Sequence, residues 1–366
     1  MSNATNVQVT RDESAWEVEL KAELPAETVQ KYRASALKGI QRDAQLDGFR
    51  KGKAPEDAIV RVYGEGAIMR AAAEEAIQHE LPELFAKQDF VIVDTPRVTT
   101  GEPEAGKPLS FSARAALAPE ITLADYKKIS EKHKGQEEDT TVSDDEHTEA
   151  LTHLRRERLR IDKVESGTEP QKASEESRSA EPKDLPELDD AFVQSLGYPD
   201  AATFSAAVRT NLGNEKKMRA QEKRRTAIID ELVAGSTIRY PRALLEYELD
   251  DMEARMQEDL SRIGQTFESY LAQVKKTREE IRETWKEGAD KRAKVRLILG
   301  KIAQEEKIEP EHKDVEHELT HAREHYPQAN VQALRSHIVH MMRNELVLRY
   351  LEGNTEPLAH DHDHEH

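Results

Sequence analysis

Two stretches of the sequence set residue types at spacings that chemistry could use. The first, GFRKGKAP at 48–55, gathers two glycines, a phenylalanine and three cations into eight residues. The second, HELTH at 317–321, is a literal H-E-x-x-H. A phosphate-cradling P-loop needs four residues between its glycines, and a Ser or Thr after the lysine to reach magnesium. Here Gly48 and Gly52 are separated by three residues and Lys53 is followed by Ala54, so nucleotide chemistry does not fit. GEGAIM at 64–69 also lacks the third glycine of a dinucleotide fingerprint.

What remains at 48–55 is a loop with a hydrophobic tip, Phe49, beside Arg50, Lys51 and Lys53. The arginine offers bidentate contacts to phosphate or carboxylate, the lysines mobile charge, and the ring a surface that inserts or stacks. From Lys31 to Arg61 eight Lys/Arg stand against four Asp/Glu, a locally basic region suited to a polyanion or an acidic protein face. On chemistry alone two readings stay open: a solvated turn and a binding loop.

On a helix, His317 and His321 share a face at i, i+4, with Glu318 placed as the general base of a zinc hydrolase and Glu345 as a third ligand. The surroundings favour a solvated or interhelical histidine face. His312, His325, His337 and His340 make a chance match easy, and Glu324 stands where the metzincin extension needs glycine. A third pattern is apolar. Leu245, Leu249, Met252, Met256, Leu260 and Ile263 step by four, three, four, four and three, a narrow helical seam. Its first reading is buried packing; where exposed, Met252, Met256 and Leu260 would suit varied unfolded partners. The tail HDHDHEH at 360–366 could hold a transition metal weakly, but reads first as a disordered solubilising end.

The chain that must position these residues has 366 of them, 34% charged, 37% hydrophobic and 5% aromatic, with a mean hydropathy of -0.80. That is thin material for one core, so two or more units with long, exposed helices are expected. The net charge of -18 excludes nucleic-acid binding across the whole surface; any polyanion contact must be local. Without cysteine there is no disulfide or thiolate chemistry. No stretch approaches the roughly 18 apolar residues of a membrane span, and the N-terminus lacks the pattern of a secretion signal. The sequence predicts a soluble, cytoplasmic protein.

Val7 and Val9, then Trp16, Val18 and Leu20, alternate around RDES as in a hairpin with one buried face. Pro25 opens a helix with Val29, Tyr32, Ala36, Leu37 and Ile40 on one side, interrupted by the glycine loop. Helices over 55–63 and 66–87 and strands over 90–93 and 109–117, the strands separated by a loop, complete an α+β domain. Ser143 with Glu146 caps a helix to about 161. Residues 162–184, whose only aliphatic side chains are Val164, Ala173 and Ala180, read as a flexible linker. From 185 to 354 everything reads helical, with Thr277 and Glu280 as a second capping box and helix starts at Pro310 and Asn330.

GFRKGKAP on a loop between two helices of an N-terminal α+β domain closely resembles the ribosome-docking signature of the trigger factor family of bacterial chaperones. DLPELDDAFVQSLGYPDAATFSAAVRTNL and IRYPRALLEYELDDM resemble landmarks of that family's helical C-terminal domain. The resemblance implies a multidomain fold: an α+β ribosome-binding domain over 1–117 and an extended all-α chaperone domain with arms. A helical linker at 118–161, a flexible acidic linker at 162–184, a substrate cradle at 185–354 and a disordered tail at 355–366 complete it. It implies ribosome contacts through Gly48, Phe49, Arg50, Lys51, Gly52, Lys53 and Pro55, assisted by Arg42, to protein and rRNA near the exit tunnel. Clients would be unfolded nascent chains, shielded without ATP or any cofactor; a homodimer off the ribosome stays open. One departure stands out. The family usually carries an FK506-binding-type prolyl isomerase where this sequence has about 20 residues before DLPEL, so no enzyme activity is expected. A helical scaffold without chaperone activity, and the zinc hydrolase, are the alternatives.

Overall fold

The computed structural model of the protein describes residues 3–104, 106–134 and 139–354; the reading of the 355–366 tail lies outside them. The chain divides into two compact units, Met1–Ala124 with Ser236–Lys301, and Asp125–Gly235 with Ile302–His366. The first unit opens with β1 (Thr5–Asp12), β2 (Glu17–Leu24), α1 (Ala26–Asp43), α2 (Glu56–Tyr63) and α3 (Glu65–Ala86). Strands β3 (Arg97–Thr100), β4 (Leu109–Ala116) and β5 (Glu120–Thr122) follow. An antiparallel sheet of order β1-β2-β4-β3 forms from the first four strands.

Period-two alternation decides which face of that sheet is buried. Val18, Leu20, Ala22 and Leu24 of β2 stand opposite Ala115, Ala113, Phe111 and Leu109 of β4, and all eight are buried. Val29 and Ala36 of α1, and Ala72, Ala76, Ile77 and Leu84 of α3, belong to the same core. The hairpin is where the alternation predicts it, but only β2 has a buried face. β1 is an edge strand with Val7 exposed. The strand expected at 90–93 is reduced to one bridge, Ile92 to Leu117, with Val91 and Val93 exposed. The edge strand is instead β3, inside the stretch read as a loop. Its RVTT is exposed at every position, so no hydrophobic alternation marks it.

Past β5 the chain continues as α4 (Tyr126–His133), α5 (Asp144–Glu165), α6 (Pro170–Ser179), α7 (Asp190–Ser195) and α8 (Ala201–Gly235). It then forms β6 (Thr237–Arg239), α9 (Arg242–Arg262), α10 (Phe267–Val274), α11 (Arg278–Glu306), α12 (His312–His325) and α13 (Val331–Leu351). The region from 185 to 354 is therefore neither all helix nor one unit. β6 pairs antiparallel with β5, and 236–301 belongs with the N-terminal sheet. There the Arg242 amide donates to the Ala15 carbonyl at 3.0 Å, and the Arg239 guanidinium lies 5.4 Å from the Trp16 ring centroid. Pairing across more than a hundred residues leaves no local signal in a three-residue strand.

The 162–184 segment, expected to be flexible, is ordered into α6 and a short 3-10 turn at Pro182–Asp184. α5 starts with its predicted capping box: the Ser143 amide donates to Glu146 at 2.8 Å, and the Glu146 amide to Ser143 Oγ at 3.2 Å. It then runs on to Glu165 and turns at Gly167 (φ 95°) into α6. Large aliphatic side chains are not needed here. Ala173 and Ser177 are buried, Lys163 pairs with Glu176, and Arg155 donates to the carbonyls of Leu185 and Pro186 at 2.7 and 2.9 Å. Small side chains at a close approach, plus ion pairs, replace the missing aliphatic core. Elsewhere in this unit Arg225 of α8 bridges Glu345 and Glu352 on the α13 side at 2.6 and 3.2 Å, and α12 and α13 share a core of Val315, Leu319, Ile338 and Met342.

Candidate docking loop

Residues 44–55 leave α1 and enter α2 through two tight turns. The Phe49 amide donates to the Leu46 carbonyl at 3.1 Å, and the Lys53 amide to the Arg50 carbonyl at 2.9 Å. Gly48 (φ 86°) and Gly52 (φ 77°) occupy left-handed backbone conformations that a side chain disfavours, which is why glycine recurs at this spacing. Pro55 precedes the first residue of α2 and fixes the extended backbone from which that helix starts.

Both ends of the loop are clamped. Ala44 and Ala54 are buried with Ile59 and Ile68 in a small apolar cluster, with Leu37, Ile40, Leu46 and Val60 packed around it. The Gln41 side chain donates to the Ala54 carbonyl at 2.5 Å. This cluster is separate from the sheet core and was not legible as a unit, because its residues lie on either side of the loop. Its effect is to hold the tip out. Phe49 is 43% exposed, and Arg50, Lys51 and Lys53 are exposed as well. None of these three cations is held in an ion pair among the described residues.

Two cations from the basic count behave differently. Arg33 is engaged by Glu65 at 2.6 Å and Glu56 at 2.9 Å, which raise its pKa, so it stabilises the fold and is not free for a ligand. Arg42 bonds its neighbour Asp43 at 3.2 Å, in a pair exposed on both sides. The Arg42 guanidinium, and more weakly Lys51, hold the Asp43 carboxyl below its ordinary value. Such an exposed pair is readily exchanged for another anion, which leaves Arg42 on the same surface as the loop. Beside the loop, α1 and α3 flank a groove of about 1010 Å³ whose lining includes Lys38, Gly39, Arg42, Tyr63 and Arg70.

The other candidates are placed less favourably. On α12 the His317 and His321 ring centroids lie 4.8 Å apart. Glu345, the proposed third ligand, is held by Arg225, and among the described residues no three potential ligands converge. These residues do not form the donor set of a catalytic zinc site. In the apolar seam of α9, Leu249 and Leu260 are buried and Met252 and Met256 are half-buried, while Ile263 is 74% exposed. Leu260 is therefore packing, and of the client-contact candidates only the two methionines reach the surface. Sequence reading also missed the acids of α9. Glu248, 1% exposed, sits between Arg292 at 3.0 Å and Arg296 at 2.7 Å, and Glu253 between Arg278 and Arg282. Charged helices mask such pairs because every turn carries both signs.

Comparison with known proteins places this architecture. Residues 5–154 match the family model described as bacterial trigger factor protein, and residues 200–352 match its C-terminal counterpart. A trigger factor of Halalkalibacterium halodurans is 26% identical, over 82% of this chain and 86% of its own. One of Desulforudis audaxviator is 24% identical, over 90% of each. A solved structure of the trigger factor chaperone, from work on promiscuous substrate recognition in folding and assembly, shares the fold. Its TM-score is 0.52 at 15% identity, covering 96% of this chain and all of that one. The chain belongs to the trigger factor family.

Proposed function

We propose that this protein is a ribosome-associated chaperone that docks through the 44–55 loop near the nascent-chain exit and shields hydrophobic segments of new proteins. The observation that carries the reading is a loop clamped at both ends that presents Phe49, Arg50 and Lys51 to solvent, the two cations outside any ion pair among the described residues. Guanidinium and ammonium groups meet rRNA phosphates or acidic protein side chains, and the ring fills an apolar recess between them. Gly48, Gly52 and Pro55 shape the loop; Lys53 and Arg42 widen its basic face. The net charge of -18 repels the ribosome elsewhere and so favours this one orientation. Bound clients are released by modest affinity and by their own folding, without ATP.

The same reading expects no prolyl-isomerase activity. The interval between the two family matches is occupied by the end of α5, by α6 and by α7. Its aromatic side chains are already engaged: Phe192 lies under the Arg158 guanidinium at 4.4 Å, and Tyr198 packs edge-on against Phe204 at 5.0 Å. Aggregation of an unfolded client, followed by light scattering without nucleotide, tests the chaperone reading. Stoichiometric suppression supports it, and undiminished aggregation favours a helical scaffold instead.

A further inference from the structure

The groove between α5 and α6 is basic within an acidic chain. It holds about 570 Å³, and its walls include His153, Arg156 and Arg160 from α5 and Ser174, Ser177 and Arg178 from α6. Its one carboxylate, Glu157, is taken by Arg160, whose Nε lies 2.9 and 3.0 Å from the two oxygens; that guanidinium holds the acid below its ordinary pKa. Nearby Glu176 is likewise taken, by Lys163. Arg156 and Arg178, on facing helices, are left with no ion-pair partner among the described residues. The Nε of Arg156 is shielded from solvent and has no hydrogen-bond partner, and Arg178 is exposed and outside any ion pair among the described residues.

Two guanidiniums lining one groove repel each other until an anion enters. The far end of the groove reaches Pro170 and Gln171, at the start of α6, where Glu169 supplies no side-chain cap. Pro170 has no amide hydrogen and the Ala173 amide is bonded to the Glu169 carbonyl, so the Gln171 and Lys172 amides are the ones that add donors and positive potential to those of the arginines. From His153 to Arg160 the groove follows seven residues of helix, roughly 10 Å at about 1.5 Å per residue. Donors spread over that length suit a chain of tetrahedral oxyanions. A planar carboxylate satisfies one fork only, as Glu157 does on Arg160.

We infer that the α5/α6 groove binds phosphate chains, with Arg156 and Arg178 as the clamping pair. The ligand is a free polyphosphate or the backbone of an RNA strand, which present the same chemistry. Arg156, Arg160 and Arg178 fall outside both family matches, and the inference does not depend on docking by the 44–55 loop.

The test is direct binding by the full chain of inorganic tripolyphosphate and, separately, of a short oligouridylate, in low and high salt. Saturable binding that weakens with salt is expected. It should fall tenfold or more in Arg156→Gln/Arg178→Gln and persist in Phe49→Ala/Arg50→Ala/Lys51→Ala. Binding of tripolyphosphate alone identifies a free polyphosphate, and binding of the RNA alone identifies a backbone; either supports the site. Three results overturn it: no saturable binding of either ligand, equal binding by the double variant, or equally tight binding of a polyglutamate peptide. Should the double variant lose helix by circular dichroism, Arg178→Gln, which changes an exposed side chain only, gives the same decision at a smaller fold-change.

Discussion

Replacing Ile59 by alanine tests whether the clamp, and not only the exposed tip, makes the docking loop. Ile59 is fully buried and belongs to the cluster that holds Ala44 and Ala54. The change removes three carbon groups, about 2.4 kcal/mol at about 0.8 kcal/mol each. The cavity left behind brings the expected cost to about 2–5 kcal/mol. A loss of about 3 kcal/mol raises the local opening constant roughly a hundredfold. Hydrogen exchange reads this at named amides. Ala44, Phe49 and Lys53, bonded to Ile40, Leu46 and Arg50, should exchange about a hundred times faster, while the β2/β4 ladder keeps its protection. Ribosome affinity should fall although every side chain of the tip is intact. Faster exchange with unchanged affinity would refute the idea that pre-positioning of the loop matters.

Acid should loosen the second unit in a defined window. Lys216 and the Ser143 cap hold the Glu146 carboxyl at about 2, and Tyr126, with Lys127, holds that of Glu306 at about 2, against 4.5 for the free acid. Their contribution is complete above about pH 4.5 and disappears as pH falls toward about 2; in Glu146→Gln/Glu306→Gln an acid titration of helicity should flatten over that range. Arg225→Ala should cost about 3–5 kcal/mol in urea unfolding, because it leaves the buried Glu352 carboxylate without its arginine, with only the Gln221 amide at 3.4 Å beside it. A protease-coupled proline-peptide assay should run at the uncatalysed rate; clear acceleration would mean that a catalytic cleft exists in this chain.

The parts of the fold that were legible in the sequence are those set by local chemistry. Ser143 with Glu146, and Thr277 with Glu280, make the capping boxes their spacing implies. Val18, Leu20, Ala22 and Leu24 alternate because the sheet has one buried face. The failures are non-local. RVTT forms β3 only because β4 offers it an edge, and the three residues of β6 only because β5 does. Residues 162–184 looked too polar to order, yet Ala173 and Ser177 are small enough to seat α6 against α5, and Arg155 ties down the backbone beyond. At the docking loop the glycines and cations were readable, whereas the cluster of Ala44, Ala54, Ile59 and Ile68 required knowing how α1, α2 and α3 pack.

Co-sedimentation with ribosomes tests the central claim most directly. The full chain should pellet with them at low salt and be released as salt rises. Phe49→Ala/Arg50→Ala/Lys51→Ala should remain in the supernatant, with α1 and α2 as protected from hydrogen exchange as in the parent. Undiminished pelleting of that variant would contradict the assignment of the 44–55 loop as the docking element.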